Sequence, residues 1–114
     1  MSKEQEQNQT ELLKKFLDNG ADWQKLDTDE KGIKIVRIKA TKTRPALLGM
    51  EFNPIHEDGR PYKRFGLIVI SKQALTDFLT LMSKDNVYPL FDILDTLNKD
   101  VLSQKKQFGV LKFE

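Results

Sequence analysis

At 114 residues, 39% of them apolar and 32% charged, with a net charge of +2, the chain has the size of one domain with a terminal arm, and a second catalytic domain is excluded. No apolar run approaches the roughly 20 residues that span a bilayer, and the polar start "MSKEQEQNQTE" lacks the hydrophobic stretch of a signal peptide. The absence of cysteine excludes disulfides and thiolate zinc sites and suits a reducing, cytoplasmic interior.

Residues 1–9, repetitive in Glu and Gln, cannot bury enough apolar surface to offset ordering and are expected to form a flexible arm. Residues 10–114 then read as a single α+β domain. Thr10 is placed to cap a short helix from Glu11 to Asn19, with Leu12, Leu13, Phe16 and Leu17 on one face and Gly20 as its stop. A hairpin follows, turning at "DEKG" between a short strand around Trp23 to Asp27 and a longer one from Ile33 to Thr41. In the longer strand a period of two separates Val36, Ile38 and Ala40 from Ile35, Arg37, Lys39 and Thr41, so one face is expected in the core and the other to be cationic with an apolar start. "ALLGMEF", from Ala46 to Phe52, forms the next strand. The loop "NPIHEDGRPYKR" carries Asn-Pro and Asp-Gly turn signals before a last strand from Phe65 to Ile70.

Ser71 caps a helix over Lys72 to Met82 that turns Leu75, Phe78, Leu79 and Met82 inward. Pro89 interrupts the pattern, and a further helical stretch runs to about Ser103 with Val87, Leu90, Leu94, Leu97 and Val101 at three-four spacing. That stripe fits either a broad core-facing helix or a dimer seam. "QFGVLKF" reads as a terminal strand or an arm that adds to a sheet, in this chain or in a partner. The sum is a four-stranded, mostly antiparallel meander with helices packed on one face.

Charge is unevenly distributed along this order. From Lys31 to Arg64 nine Lys or Arg face three acids, a net +6 that leaves −4 for the rest of the chain. A basic region between acidic flanks attracts a polyanion locally while the whole stays near neutral. The stretch "GRPYKRFGLIVI" concentrates the pattern, with Arg60, Lys63 and Arg64 around Tyr62 and Phe65 immediately before an aliphatic strand. Cations on one face of a sheet neutralise phosphates and release counterions, and aromatics among them offer platforms for unpaired bases. The candidate phosphate contacts are Lys34, Arg37, Lys39, Lys42, Arg44, Arg60, Lys63 and Arg64, and the candidate platforms Trp23, Tyr62 and Phe65. The same cations would also serve as a solvated, aggregation-resistant face. Duplex readers insert a basic helix into the major groove, whereas Lys72 to Ser103 holds three Lys against five Asp.

Catalytic chemistry is thin. His56, the single histidine, lies in "IHEDG" beside Glu57 and Asp58, but adjacent turn residues point apart and no second histidine or cysteine completes a transition-metal site. The six glycines never fall at the spacing of a phosphate or dinucleotide loop, and no nucleophile elbow is present. A non-enzymatic protein without cofactor or metal is expected.

The segment "KRFGLIVISKQALTDFL" resembles the end of the sheet and the start of the helix in the positive-cofactor-four family of single-stranded-DNA-binding proteins. There a basic pair precedes a glycine, a short apolar strand and a serine-capped helix, matched by Lys63 and Arg64, Gly66, Ile68 and Ile70, and Ser71. The order of elements from Ile33 to Leu102 is also similar to that of the archaeal ThermoDBP group. The resemblance implies a homodimer offering a paired cationic groove to unpaired strands. Ala74 and Leu75 stand where the family usually has a tryptophan, and neither the N-terminal helix nor the "FGVLKF" tail belongs to its minimal domain. The expected function is single-stranded nucleic-acid binding, of DNA in the first instance. The alternative is a protein-interaction or assembly module that uses the C-terminal helix and tail.

Overall fold

The computed structural model describes residues 2–108, with side chains as far as Ser103. Three helices and a four-stranded antiparallel sheet among these residues make an α+β fold: α1 (Lys3–Asn19), β1 (Lys25–Asp27), β2 (Ile33–Ile38), β3 (Leu47–Phe52), β4 (Leu67–Val69), α2 (Lys72–Met82) and α3 (Val87–Phe108). The chain divides into two compact units, Met1–Leu75 and Thr76–Glu114. No described helix is long and apolar enough to cross a membrane.

Helix α1 begins at Lys3, ahead of the expected Glu11. Ser2 and Gln5 form a reciprocal capping box, each side chain accepting from the other's backbone N–H at 3.2 Å. Glu4 and Glu6 in the first turn suit the positive end of the helix dipole. Thr10 is therefore no cap; it lies within the helix, its hydroxyl donating to Glu6 O at 2.7 Å. The polar composition of residues 3–9 keeps them out of a core, as expected, but Glu, Gln and Lys are good helix formers and extend the helix into solvent.

The strands run in the order β1-β2-β3-β4, each antiparallel to its neighbour. The pairs Lys25↔Val36↔Gly49 and Lys34↔Glu51↔Ile68 place Lys25, Lys34, Val36, Ile38, Gly49, Glu51 and Ile68 on one face. On the other face lie Ile35, Arg37, Leu48, Met50, Phe52 and Val69, together with Leu26. This second face is the more apolar, and it is the one helices approach: Leu13 of α1 and Leu75 of α2 line a groove over Ile35, Leu48, Met50 and Phe52. The buried apolar core among the described residues is small, consisting of Val36, Ile38 and Val69. Gly49 is required by this packing, since a Cβ there would stand 2.9 Å from Ile68 Cγ2 and 3.0 Å from Ile38 Cδ1.

Helix α2 starts as its sequence indicates, with Ser71 Oγ accepting from Ala74 N–H at 3.0 Å. Helix α3 accommodates Pro89 in its first turn, where a missing N–H leaves no helical bond unmade. It continues to Phe108 and so absorbs the first two residues of "QFGVLKF"; the rest of that expected strand lies outside the described residues. From Thr76 to Ser103 every residue except Val87 is exposed.

Candidate nucleic-acid interface

The connection 53–66 between β3 and β4 begins as a buried residue and ends as a tight approach. Asn53, 8% exposed, pairs with the main chain of Lys63 in both directions, Nδ2 donating to Lys63 O at 2.7 Å and Oδ1 accepting from Lys63 N–H at 3.2 Å. Within the loop, Ile55 bridges Pro61, Tyr62 N–H donates to Pro54 O at 2.8 Å, and Gly59 makes the tip at φ 91°. The tip curls toward the β1–β2 turn, where Gly32, at φ 92°, accepts from Asn53 N–H at 2.8 Å. Between loop and sheet lies a polar cleft of about 350 Å³ lined by Lys25, Lys34, Glu51, Asn53, Ile55 and Arg64.

The floor of this cleft is a buried carboxylate. Glu51 is 3% exposed; Lys25 Nζ donates to its two oxygens at 3.0 and 2.9 Å, and Gly66 N–H donates to Oε2 at 3.2 Å. Burial alone pushes the Glu51 carboxyl up, but the bonds from Lys25 and Gly66 and the charges of Lys25 and Lys34 outweigh it and hold the group below its ordinary value. To reach Glu51 from β1, two strands away, the Lys25 side chain must cross β2 beside its register partner Val36, and its methylenes then shield that residue. Lys34 pairs with the exposed Asp27 at 3.4 Å, and its charge also bears on Glu51.

Both rings of the loop stand in solvent, Tyr62 61% and Phe65 65% exposed. Tyr62 stacks on His56, with centroids 4.1 Å apart and planes 10° from parallel. Arg64 lies over Phe65 at 5.4 Å from its centroid. Lys63 is exposed, while Arg60 is bound at Nε by Asp58 at 2.7 Å.

The remaining expected contacts go elsewhere. Lys39, Lys42 and Arg44 lie on the β2–β3 link, at the opposite end of the strands from loop 53–66, roughly 20 Å away for a six-residue strand. There Arg44 closes its own link, donating to Lys39 O at 3.1 Å and Pro45 O at 3.3 Å. Trp23 belongs to that end as well: its N–H donates to Arg37 O, and it is 55% exposed at φ 65°, a left-handed conformation rare for a bulky residue.

Arg37 needs correction. Its side chain, 16% exposed, lies on the face covered by α1, where Nε donates to Leu17 O at 2.8 Å and Nη1 to Asp22 at 2.7 Å. Helix α1 has no basic residue in its last turn, and Arg37 supplies that cation from the sheet. The face expected to be cationic is thus the helix-covered one, because Ile35, Leu48, Met50 and Phe52 outvote the single guanidinium. The cations facing the cleft are instead Lys25 and Lys34, beside Val36.

Lys25, His56 and the buried pair Glu51 and Asn53 lie outside the expected set. Lys25 falls before the basic stretch and was not counted with it; its strand parity with Trp23 and Asp27 was the available signal. His56 reads in sequence as a turn residue, yet the Asp-Gly tip folds "IHEDGRPY" back so that residue 56 meets residue 62. Among the described residues no three His, Asp or Glu side chains are grouped to hold a metal ion. No family model, curated protein or solved structure matches the chain.

Proposed function

We propose that the sheet unit binds single-stranded nucleic acid, DNA in the first instance, over the polar cleft and the loop 53–66, without catalysis. The observation that carries this reading is the pair of exposed rings, Tyr62 stacked on His56 and Phe65 beneath Arg64, in a segment that also carries Lys63. An aromatic side chain left in water forgoes its burial energy, and rings held face-open beside cations are what unpaired bases stack upon. Neither α2 nor α3 is basic, since together they hold four Lys and four Asp, and this disfavours a helix-in-groove mode on duplex. Lys39, Lys42 and Trp23 provide a second patch at the far end of the strands, along which a longer strand would pass. Fluorescence anisotropy with labelled single- and double-stranded oligonucleotides at two salt concentrations tests the reading. Tighter binding of the single strand is expected, with a loss of about 5- to 100-fold on Tyr62→Ala or Phe65→Ala, the equivalent of one base stack. Equal affinity for duplex, or no loss in either variant, overturns it.

A second reading, assembly through the helical unit, is favoured by a separate observation. Leu90, Phe91, Leu97, Val101 and Leu102 of α3 are all more than half exposed, a larger open apolar surface than monomers commonly carry. A homodimer joined through these helices would cover it and bring two sheet units to one strand. Sedimentation equilibrium of the full chain gives twice the monomer mass if so, and deletion of residues 107–114 separates an assembly role of the tail from nucleic-acid binding.

A further inference from the structure

We infer that Asn53 and Glu51 are positioning residues for the binding loop: from the end of β3 they anchor the segment Tyr62–Phe65 at Lys63 within it and at Gly66 just beyond it, and so set where its rings and cations stand. The inference rests on the nucleic-acid reading and adds to it two residues that touch no ligand.

Asn53 acts at Lys63. Its carboxamide presents one donor and one acceptor to the Lys63 main chain, the pairing a peptide group makes in a ladder, so the backbone is held while the Lys63 ammonium remains outside. Asn53 is itself fixed, because its N–H donates to Gly32 O at 2.8 Å. Glu51 acts at Gly66, the residue after Phe65, accepting its N–H. The approach there is close enough that a Cβ on Gly66 would stand 2.5 Å from Phe52 O and 2.8 Å from Glu51 Cγ. Lys25 in turn holds the carboxylate with two bonds. The four residues that carry two exposed rings and two cations are thereby held at position 63 within the segment and at position 66 immediately after it.

The energetic reason for such anchors is preorganisation. Fixing a free residue costs about 1–2 kcal/mol, so an unanchored segment of this length would surrender much of its stacking energy on binding. Both anchors are buried polar groups with all their side-chain atoms partnered, and both bond to the loop rather than only to the sheet. A residue retained for the sheet alone would have no need of Lys63 or Gly66.

The test uses the full chain carrying Asn53→Ala, Asn53→Asp or Glu51→Gln, titrated with a labelled oligothymidylate across a salt series, alongside amide hydrogen exchange. Asn53→Ala is expected to weaken binding by about tenfold or more while the slope of log affinity against log salt is unchanged, since no cation is lost, and to lose protection at Lys63 N–H. Asn53→Asp keeps the acceptor for that N–H and should recover part of both. Glu51→Gln keeps an acceptor for Gly66 and should weaken binding less than Asn53→Ala, which supplies a second arm if the alanine variant folds poorly. Lost protection at Lys63 with affinity within twofold of the wild type overturns the positioning role, as does unchanged protection. A wild-type chain with no affinity for any oligonucleotide overturns instead the reading beneath it, and the two failures are told apart by that one control.

Discussion

In the sheet unit, a carboxylate and a carboxamide buried to within 3% and 8% of full enclosure each find every partner inside the chain. In the helical unit, the large apolar side chains from Phe78 to Leu102 are, except Val87, all exposed, Phe78 and Leu94 the least. The first region is closed by a few specific polar bonds around a very small core. The second has the amphipathic pattern of a packed helix and leaves much of its apolar stripe exposed. Polar closure of this kind needs no partner, because each bond has a definite geometry within one chain. Apolar surface is non-directional and is removed from water by whatever apolar surface meets it. The proposed reading gives recognition to the sheet unit and assembly to the helical one, and each can be broken separately.

The largest effect is expected where assembly is attacked. Leu94 and Leu97 sit on consecutive turns of the α3 stripe, and Glu at both would put uncompensated charge into any seam formed there, at several kcal/mol. Dimer mass should fall to monomer mass in sedimentation, while a short oligonucleotide that fits one sheet unit keeps its affinity. Retention of the double mass would move the interface off α3.

Next comes Glu51. Replacing it by Ala strands the Lys25 ammonium and the Gly66 N–H, at about 1–3 kcal/mol of unfolding free energy by urea titration. The pH dependence has a definite sign. The folded carboxyl titrates below its ordinary value of 4.5, so the unfolded chain binds the proton first, and the stabilisation is complete above that value and lost as pH falls through the folded one. Glu51→Gln should therefore be less stable than the wild type at pH 7 and lose that deficit in acid. A constant difference between pH 7 and pH 3 would mean that the charge of Glu51 contributes nothing.

Arg37→Ala is of similar or smaller size and separates structure from binding. It removes a bond to the end of α1 and a half-buried ion pair, and should cost about 1–2 kcal/mol of stability. It should leave the salt slope for single strands unchanged. A lower slope would return Arg37 to the phosphate contacts.

How much of this was legible in the sequence depends on the residue. The strand order, the α2 start at Ser71 and the burial of Val36 and Ile38 follow from turn signals, capping and a period of two, all local. The exposure of Tyr62 also follows, since it precedes the last strand, whereas Phe65 reads as that strand's first residue and stands outside β4, which begins at Leu67. Arg37 was misassigned because alternation says which residues share a face but not which face a helix will choose. That choice lay with Leu48, Met50 and Phe52 on the neighbouring strand. The α1 start is not legible from burial, since residues that cannot be buried still order where a capping box and good propensity suffice. The stack of His56 on Tyr62 depends on the loop folding back at Asp58-Gly59, which spacing along the chain does not reveal.

The smallest expected effect lies within the loop and compares two neighbouring cations. Lys63 is exposed and forms no ion pair among the described residues, whereas Arg60 is tied to Asp58 at 2.7 Å with both side chains more than half exposed. An exposed pair of this kind adds little to stability, so neither Lys63→Ala nor Arg60→Ala should shift the urea midpoint. Their binding consequences differ. Lys63→Ala removes an uncompensated charge and should lower the salt slope by about 0.7, one phosphate contact on a single strand. Arg60→Ala removes half of a neutral pair and exposes the Asp58 carboxylate, so affinity falls a little through repulsion while the slope changes less. Equal slopes in the two variants would show that the strand pulls Arg60 away from Asp58 on binding, and the tip of the loop would then belong to the contact surface along with its base.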